Sequence, residues 1–309
     1  MRVRWVFAAI AALAFIGPVA AQQPPEAILN GRFSAIEAAP DPADAARMAG
    51  QLTDSLRALQ PQRRGHEDVY LIAASLWGEP VFEREVTQAE AILRQRLGAD
   101  GRSIVLSAGG QGARALPAAT PGNVAAAIGQ VGSLIDPSED LVVVFLTSHG
   151  RSDGSMALHE DGRVEGSLRP NELAAMLNIA GIRNRVVIIS ACFSGAFIPP
   201  LATGDTIVMA AAQRDRTSFG CQPQRDWTFF GDAYFSHALC GGADFVTAFD
   251  QAKTLIARWE RQQNLSPPSN PQIFVGAHAA QMLRDATGAM RANPARDRAA
   301  PLSCASPPA

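Results

Sequence analysis

Short unbroken apolar runs alternate along this chain with longer stretches whose apolar residues recur every three or four positions. Val69–Ser75, Asp140–Leu146, Arg185–Ser190 and Thr206–Ala212 are the runs. Their β-branched, almost charge-free interiors predict strands buried on both faces. Ser103–Leu106 and Gln272–Val275 predict shorter strands. Phe82–Leu97, Thr120–Leu134, Asn171–Ala180, Phe229–Leu239 and Asp244–Gln262 carry the helical spacing. Gly98 and Gly181 stop two of these helices. Thr120-Pro121 opens a third, with threonine as cap and proline at the first helical position. Met156–Leu168, with Asp161-Gly162 between two extended pieces, reads as a hairpin. Strand and helix alternate without an internal repeat, which predicts a parallel, doubly wound sheet with right-handed crossovers.

The pattern changes at both ends. Trp5–Ile16 is an apolar run behind Arg2 and Arg4, broken by Gly17-Pro18 and followed by the small residues Val19-Ala20-Ala21. It reads as a signal peptide over 1–21, cleaved after Ala21, with an uncleaved anchor as the alternative. Residues 22–65 form an N-terminal helical extension. Met48, Leu52, Leu56 and Leu59 share one helix face, with Asp41 as cap and Pro42 at the first position. This helix either packs on the main domain or belongs to a removable pro-segment. Residues 66–286 make the main domain, and the Ala-, Arg- and Pro-rich 287–309 predict a disordered tail.

Composition narrows the function. The 309 residues are 47% hydrophobic and 18% charged, with a formal net charge of −2. That is globular composition without the basic excess a nucleic-acid partner requires. Export implies a periplasmic or secreted protein in an oxidising compartment, with no stable membrane insertion after cleavage. The four cysteines, Cys192, Cys221, Cys240 and Cys304, show no metal-ligand spacing, so no metal and no cofactor are expected. A Cys221–Cys240 disulfide is the candidate pairing, with Cys304 unpaired.

Candidate chemistry sits at two strand ends. His149-Gly150 follows one buried strand, and Cys192-Phe193-Ser194-Gly195 follows another, one βαβ unit along. In an open parallel sheet both lie at the carboxyl edge, where ligands bind. A thiol titrating near about 8.5 needs a base to raise its thiolate fraction, and histidine titrates close to neutrality. His149 can therefore take the thiol proton and return one to a leaving amine. Gly150, without a side chain, lets its N–H approach an oxyanion, with the Cys192 N–H as a second donor. Rival motifs are weaker. Ser194 is not in a G-x-S-x-G elbow. Gly109-Gly110-Gln111-Gly112 lacks dinucleotide-binding spacing. His159, Glu160 and Asp161 read as solvated, and His66, His237 and His278 as structural.

On Thr147-Ser148-His149-Gly150, Ser190-Ala191-Cys192-Phe193-Ser194-Gly195 and Ala211–Cys221, the chain resembles the legumain family of caspase-like cysteine peptidases, in its exported bacterial branch. Phe229-Phe230-Gly231-Asp232 and Pro271-Gln272-Ile273 extend the likeness, which runs from about Glu67 to Gly276. The resemblance implies a caspase-like three-layer α/β/α sandwich with a mostly parallel central sheet. It implies hydrolysis of peptide bonds in a protein or peptide substrate, with Cys192 as nucleophile and His149 as general acid/base. The Gly150 and Cys192 amides become the oxyanion hole. Thr217, Ser218, Asp232 and the position of Ser190 become substrate-binding, for cleavage after Asn or Asp. Ser190 stands where legumain has a glutamate, Ser148 where it has an aspartate, and no Arg-His pair is evident near Trp77–Val81. Arg214 and Arg216 offer a preference for an acidic group instead. A transpeptidase or ligase on the same fold, and a non-catalytic interaction module, are the other readings.

Overall fold

The computed structural model describes residues 34–37, 41–109, 115–160, 164–283 and 304. The predicted signal peptide, the hairpin tip at 161–163, Gly110–Gly112 and the predicted tail apart from Cys304 lie outside them. A six-stranded sheet runs in the order β3 (Ser103–Ser107), β2 (Val69–Ser75), β4 (Leu141–Thr147), β7 (Arg185–Ser190), β8 (Thr206–Ala210) and β9 (Gln272–Val275). The first five pair in parallel, and β9 runs antiparallel to β8. The parallel strands β2, β4, β7 and β8 are buried along their whole length, which explains their unbroken apolar sequence.

Because side chains alternate across a strand, this one sheet feeds two cores. Tyr70, Ile72, Val142, Val144, Val187 and Ile189 face one side. There they meet α1 (Pro42–Ala58), α3 (Pro121–Leu134) and α4 (Pro170–Ile179). Leu71, Val143, Phe145, Val186 and Ile188 face the other. There they meet α2 (Pro80–Leu97), α5 and α6 (Phe245–Gln262). Here α5 is a short α-turn, Phe229–Gly231, that continues as the π-helix Asp232–Leu239. The result is the expected α/β/α sandwich.

The helix starts at Asp41 and Thr120 follow the punctuation read from sequence, and Asp244, the first residue of the predicted helix 244–262, is a third cap. Asp41 accepts the amides of Ala43 and Asp44, Thr120 accepts that of Asn123, and Asp244 accepts those of Val246 and Thr247. Gly98 ends α2 at φ 62°, the left-handed region that favours glycine. The helix α1 lays Leu52 and Leu56 on the core, and Tyr70 donates to the Gln60 carbonyl at 2.9 Å. A second small sheet was only partly legible. The hairpin β5 (Met156–Glu160) and β6 (Val164–Leu168) is joined by β1 (Ser34–Glu37), which pairs antiparallel with β6. The sequence reading gave that N-terminal stretch a helix only.

One cysteine expectation is corrected. Cys240, at the end of the π-helix, pairs with Cys304, with their Cα atoms 5.6 Å apart. Cys221 and Cys192 are free. A disulfide needs its Cα atoms within about 7 Å, a condition that spacing along the chain does not report. Cys221 lies instead in the loop beside Cys192, where burial pushes its thiol pKa up.

Candidate active site

Strands β4 and β7 are neighbours, with Thr147 opposite Ser190 in register. The Ser148 amide donates to the Ser190 carbonyl at 3.2 Å. Two residues beyond that last pair, the chains present His149 and Cys192. Their backbones touch: a Cβ at Gly150 would lie 1.8 Å from the Cys192 carbonyl oxygen and 2.9 Å from its nitrogen. Only glycine fits there. The turn after Cys192 is tight, with Phe193 at φ 58°. The Phe193 amide donates to the Arg216 carbonyl (2.7 Å), and the Gly195 amide to that of Ala212 (2.8 Å). Ser194 Oγ accepts from the Ala212 amide at 3.1 Å, so this hydroxyl helps to hold the turn. Through these bonds segment 212–218 wraps the cysteine. The Ser218 amide donates to Cys192 Sγ at 3.3 Å, and Ser218 Oγ lies 3.9 Å from the sulfur. Thr217, next to it, is exposed.

His149 is held by a residue that the sequence reading missed. Its Nε2 lies 3.2 Å from Glu79 Oε2. A carboxylate accepts, so Nε2 carries the proton and Nδ1 is left for a reacting group. The rings of Trp77 and Phe82 meet the imidazole edge-on at 5.0 Å. The loop that carries Glu79 is fixed by β5: His159 N donates to Leu76 O (2.9 Å) and Gly78 N to His159 O (3.0 Å). The same strand grips the histidine segment, through Ala157 N to His149 O (2.8 Å) and Ser148 Oγ to Ala157 O (2.6 Å). The hairpin thus clamps both the His149 segment and the loop that carries Glu79. The available signal was an acidic residue between a strand end and a helix-opening proline, on the same edge as His149.

Below the two strand ends lies a buried carboxyl group, Glu85 of α2. It accepts from Thr228 Oγ1 (2.6 Å), from Ser190 Oγ (3.3 Å) and from Thr147 Oγ1. Ser190, expected to bind substrate, is 2% exposed, and its hydroxyl turns into this buried cluster rather than toward the open edge. Asp232 is partly buried, 3.5 Å from both Arg225 Nη2 and His237 Nε2. Burial raises its carboxyl pKa, and those two neighbours oppose the rise.

Burial pushes the Glu85 carboxyl up to about 7, against bonds from Thr147, Thr228 and Ser190 that favour the anion. An unfolded glutamate ionises near 4.5. Stability from the neutral carboxyl is therefore complete below pH 4.5 and is lost as pH rises through 7, by roughly 3 kcal/mol. The unfolding free energy of the wild type minus that of Glu85→Gln should fall by this amount over that interval and level off above it. Urea titrations at each pH measure it, and a pH-independent difference would refute the burial effect.

Among the described residues no group of His, Cys, Asp and Glu is placed to hold a metal ion. The model of the peptidase C13 family matches residues 113–275, more than half of the chain. The chain belongs to the peptidase C13 family. This legumain family consists of cysteine-type peptidases, hydrolases that act on protein substrates. Both strand ends, with His149 and Cys192, fall inside the matched segment, whereas Glu79 and Glu85 precede it. No curated protein matches the chain in sequence. Among solved structures, the crystal structure of caspase-1 from Spodoptera frugiperda is similar at 13% identity and a TM-score of 0.46. That match covers 70% of this peptidase C13 chain and 93% of the caspase.

Proposed function

We propose that this peptidase is an endopeptidase in which Cys192 attacks the scissile carbonyl and His149 shuttles the proton. The observation that carries this reading is the contact of Gly150 with the Cys192 backbone, which brings the two strand ends into one site. His149 takes the thiol proton through Nδ1, with Nε2 steadied by Glu79, and returns it to the leaving amine. The Gly150 and Cys192 amides, side by side, receive the oxyanion. Ser218, against the sulfur, together with its neighbour Thr217 and with Asp232, is our pocket for the residue before the cut, Asn or Asp. The reading places the protein in the periplasm or outside the cell. Among the described residues no helix is long and apolar enough to cross a membrane.

A second specificity has an observation in its favour. Arg216, Lys253 and Arg261 line a cavity of about 430 Å³ next to the loop that wraps Cys192. Its one carboxylate, Glu260, is buried and bonded to Ser269. An acidic residue near the cut suits that cleft. Cleavage-site profiling on a peptide library separates the two. Asn or Asp immediately before the cut supports the first, and an acidic residue elsewhere supports the cleft. A site profile without either sinks both pockets.

Glu79→Gln tests the orienting acid. It keeps the hydrogen bond and removes the charge. We expect kcat to fall about 10- to 100-fold, part of the roughly 10²–10⁴-fold that a positioned acid–base contributes, with KM little changed. Unchanged kcat would leave Glu79 as a helix-cap residue only.

A further inference from the structure

We propose that Glu85 is a positioning residue for catalysis, a single buried carboxyl that sets the relative placement of the two strand ends bearing His149 and Cys192. The inference rests on the cysteine-peptidase reading above and extends it to a residue of the core. Thr147 and Ser190 are register partners, each two residues before a reacting side chain. Both donate to the same carboxyl. The third donor, Thr228, caps α5, its hydroxyl also accepting the Gly231 amide at 3.1 Å, so its proton is directed to Glu85. One group therefore joins β4, β7 and the start of the helix that carries Asp232. Gly231 is shaped around it: a Cβ there would sit 1.9 Å from Glu85 Oε1.

Burying a carboxyl is costly, and an apolar residue would fill the space at less cost. Glu85 interrupts the apolar face that Phe82, Val86, Ala89 and Leu93 present to the core. Among the described residues it forms no salt bridge. Hydroxyls face it from β4, β7 and the start of α5, and among the described titratable groups Cys221 interacts with it electrostatically, its thiol kept neutral by burial. Its protonation state therefore decides whether three hydroxyls all donate or one must turn to accept. That turn is transmitted along two residues of backbone to His149 and Cys192.

The test compares full-length wild type, Glu85→Gln, Ser190→Ala and Thr147→Val. The readouts are thermal unfolding, kcat and KM on one peptide, and the rate of Cys192 alkylation by iodoacetamide from pH 5 to 9. Glu85→Gln is expected to fold, to lower kcat at least tenfold with KM within about twofold, and to change the shape of the pH profile near neutrality. If it does not fold, Ser190→Ala and Thr147→Val carry the test, each expected to lower kcat about three- to tenfold with Tm nearly unchanged. Wild-type kcat and pH profile in all folded variants would overturn the proposal. If the wild type cuts no peptide, the peptidase reading fails instead. The alkylation profile then decides on Glu85: an altered profile in the variants supports its role, and superimposable profiles overturn it.

Discussion

Cys192→Ala is expected to yield a folded protein whose peptide cleavage is reduced by at least about 10⁴-fold. The side chain is partly buried at the edge of the sheet, and its sulfur accepts one amide, from Ser218. Losing that contact and a small volume should cost no more than about 1 kcal/mol. Iodoacetamide should modify one thiol in the native wild type and none in this variant. The other free cysteine, Cys221, has its thiol pKa raised by burial. Cleavage that survives the substitution would remove Cys192 from the mechanism. Native labelling at Cys221 would instead place the reactive sulfur in the neighbouring loop after β8.

Gly150→Ala should be nearly as damaging, although it leaves every reacting side chain in place. The added methyl would stand 1.8 Å from the Cys192 carbonyl oxygen and 2.6 Å from its carbon. Both neighbours are backbone, so no rotamer change relieves the contact, and the two strand ends must separate. Misplacement on the order of 1 Å can cost 10²-fold, and on the proposed mechanism moving the Gly150 amide also removes an oxyanion donor. A loss of about 10²- to 10³-fold in kcat/KM is expected, with cooperative unfolding retained because the strand interiors are untouched. Gly129→Ala is the control. It lies in α3 with nothing within 4 Å of the added atom. There the methyl should stabilise by about 0.5–1 kcal/mol and leave activity unchanged. Near-wild-type activity in Gly150→Ala would mean that the two ends are not in register during catalysis.

Comparing residues shows which kinds of information a sequence carries. The strand that ends at Thr147 and the strand that ends at Ser190 were readable because burial on both faces forces continuous apolar runs. The helix starts at Pro42 and Pro121 were readable because caps act within three residues. Glycine after histidine, and glycine three residues after cysteine, marked the right edge of the sheet. Glu79 was not readable, since its partner is 70 residues away and its own neighbours announce only a helix start. Ser190 was read as a pocket residue by resemblance. In the fold it points under the site, because the strand pleat and Glu85 decide its direction.

Local chemistry along the chain thus determined the strands, the helices, and the sheet edge at which the cysteine and histidine stand. Tertiary structure alone decided what each of them touches: Glu79 on the imidazole, Ser218 on the sulfur, Glu85 beneath both, and Cys304 rather than Cys221 on Cys240. The physical reason is range. Capping, periodicity and buried runs are set by neighbours within a few residues. Ion pairs, buried carboxyls and disulfides are set by which distant segments the sheet order brings together, and by the side of each strand that faces them.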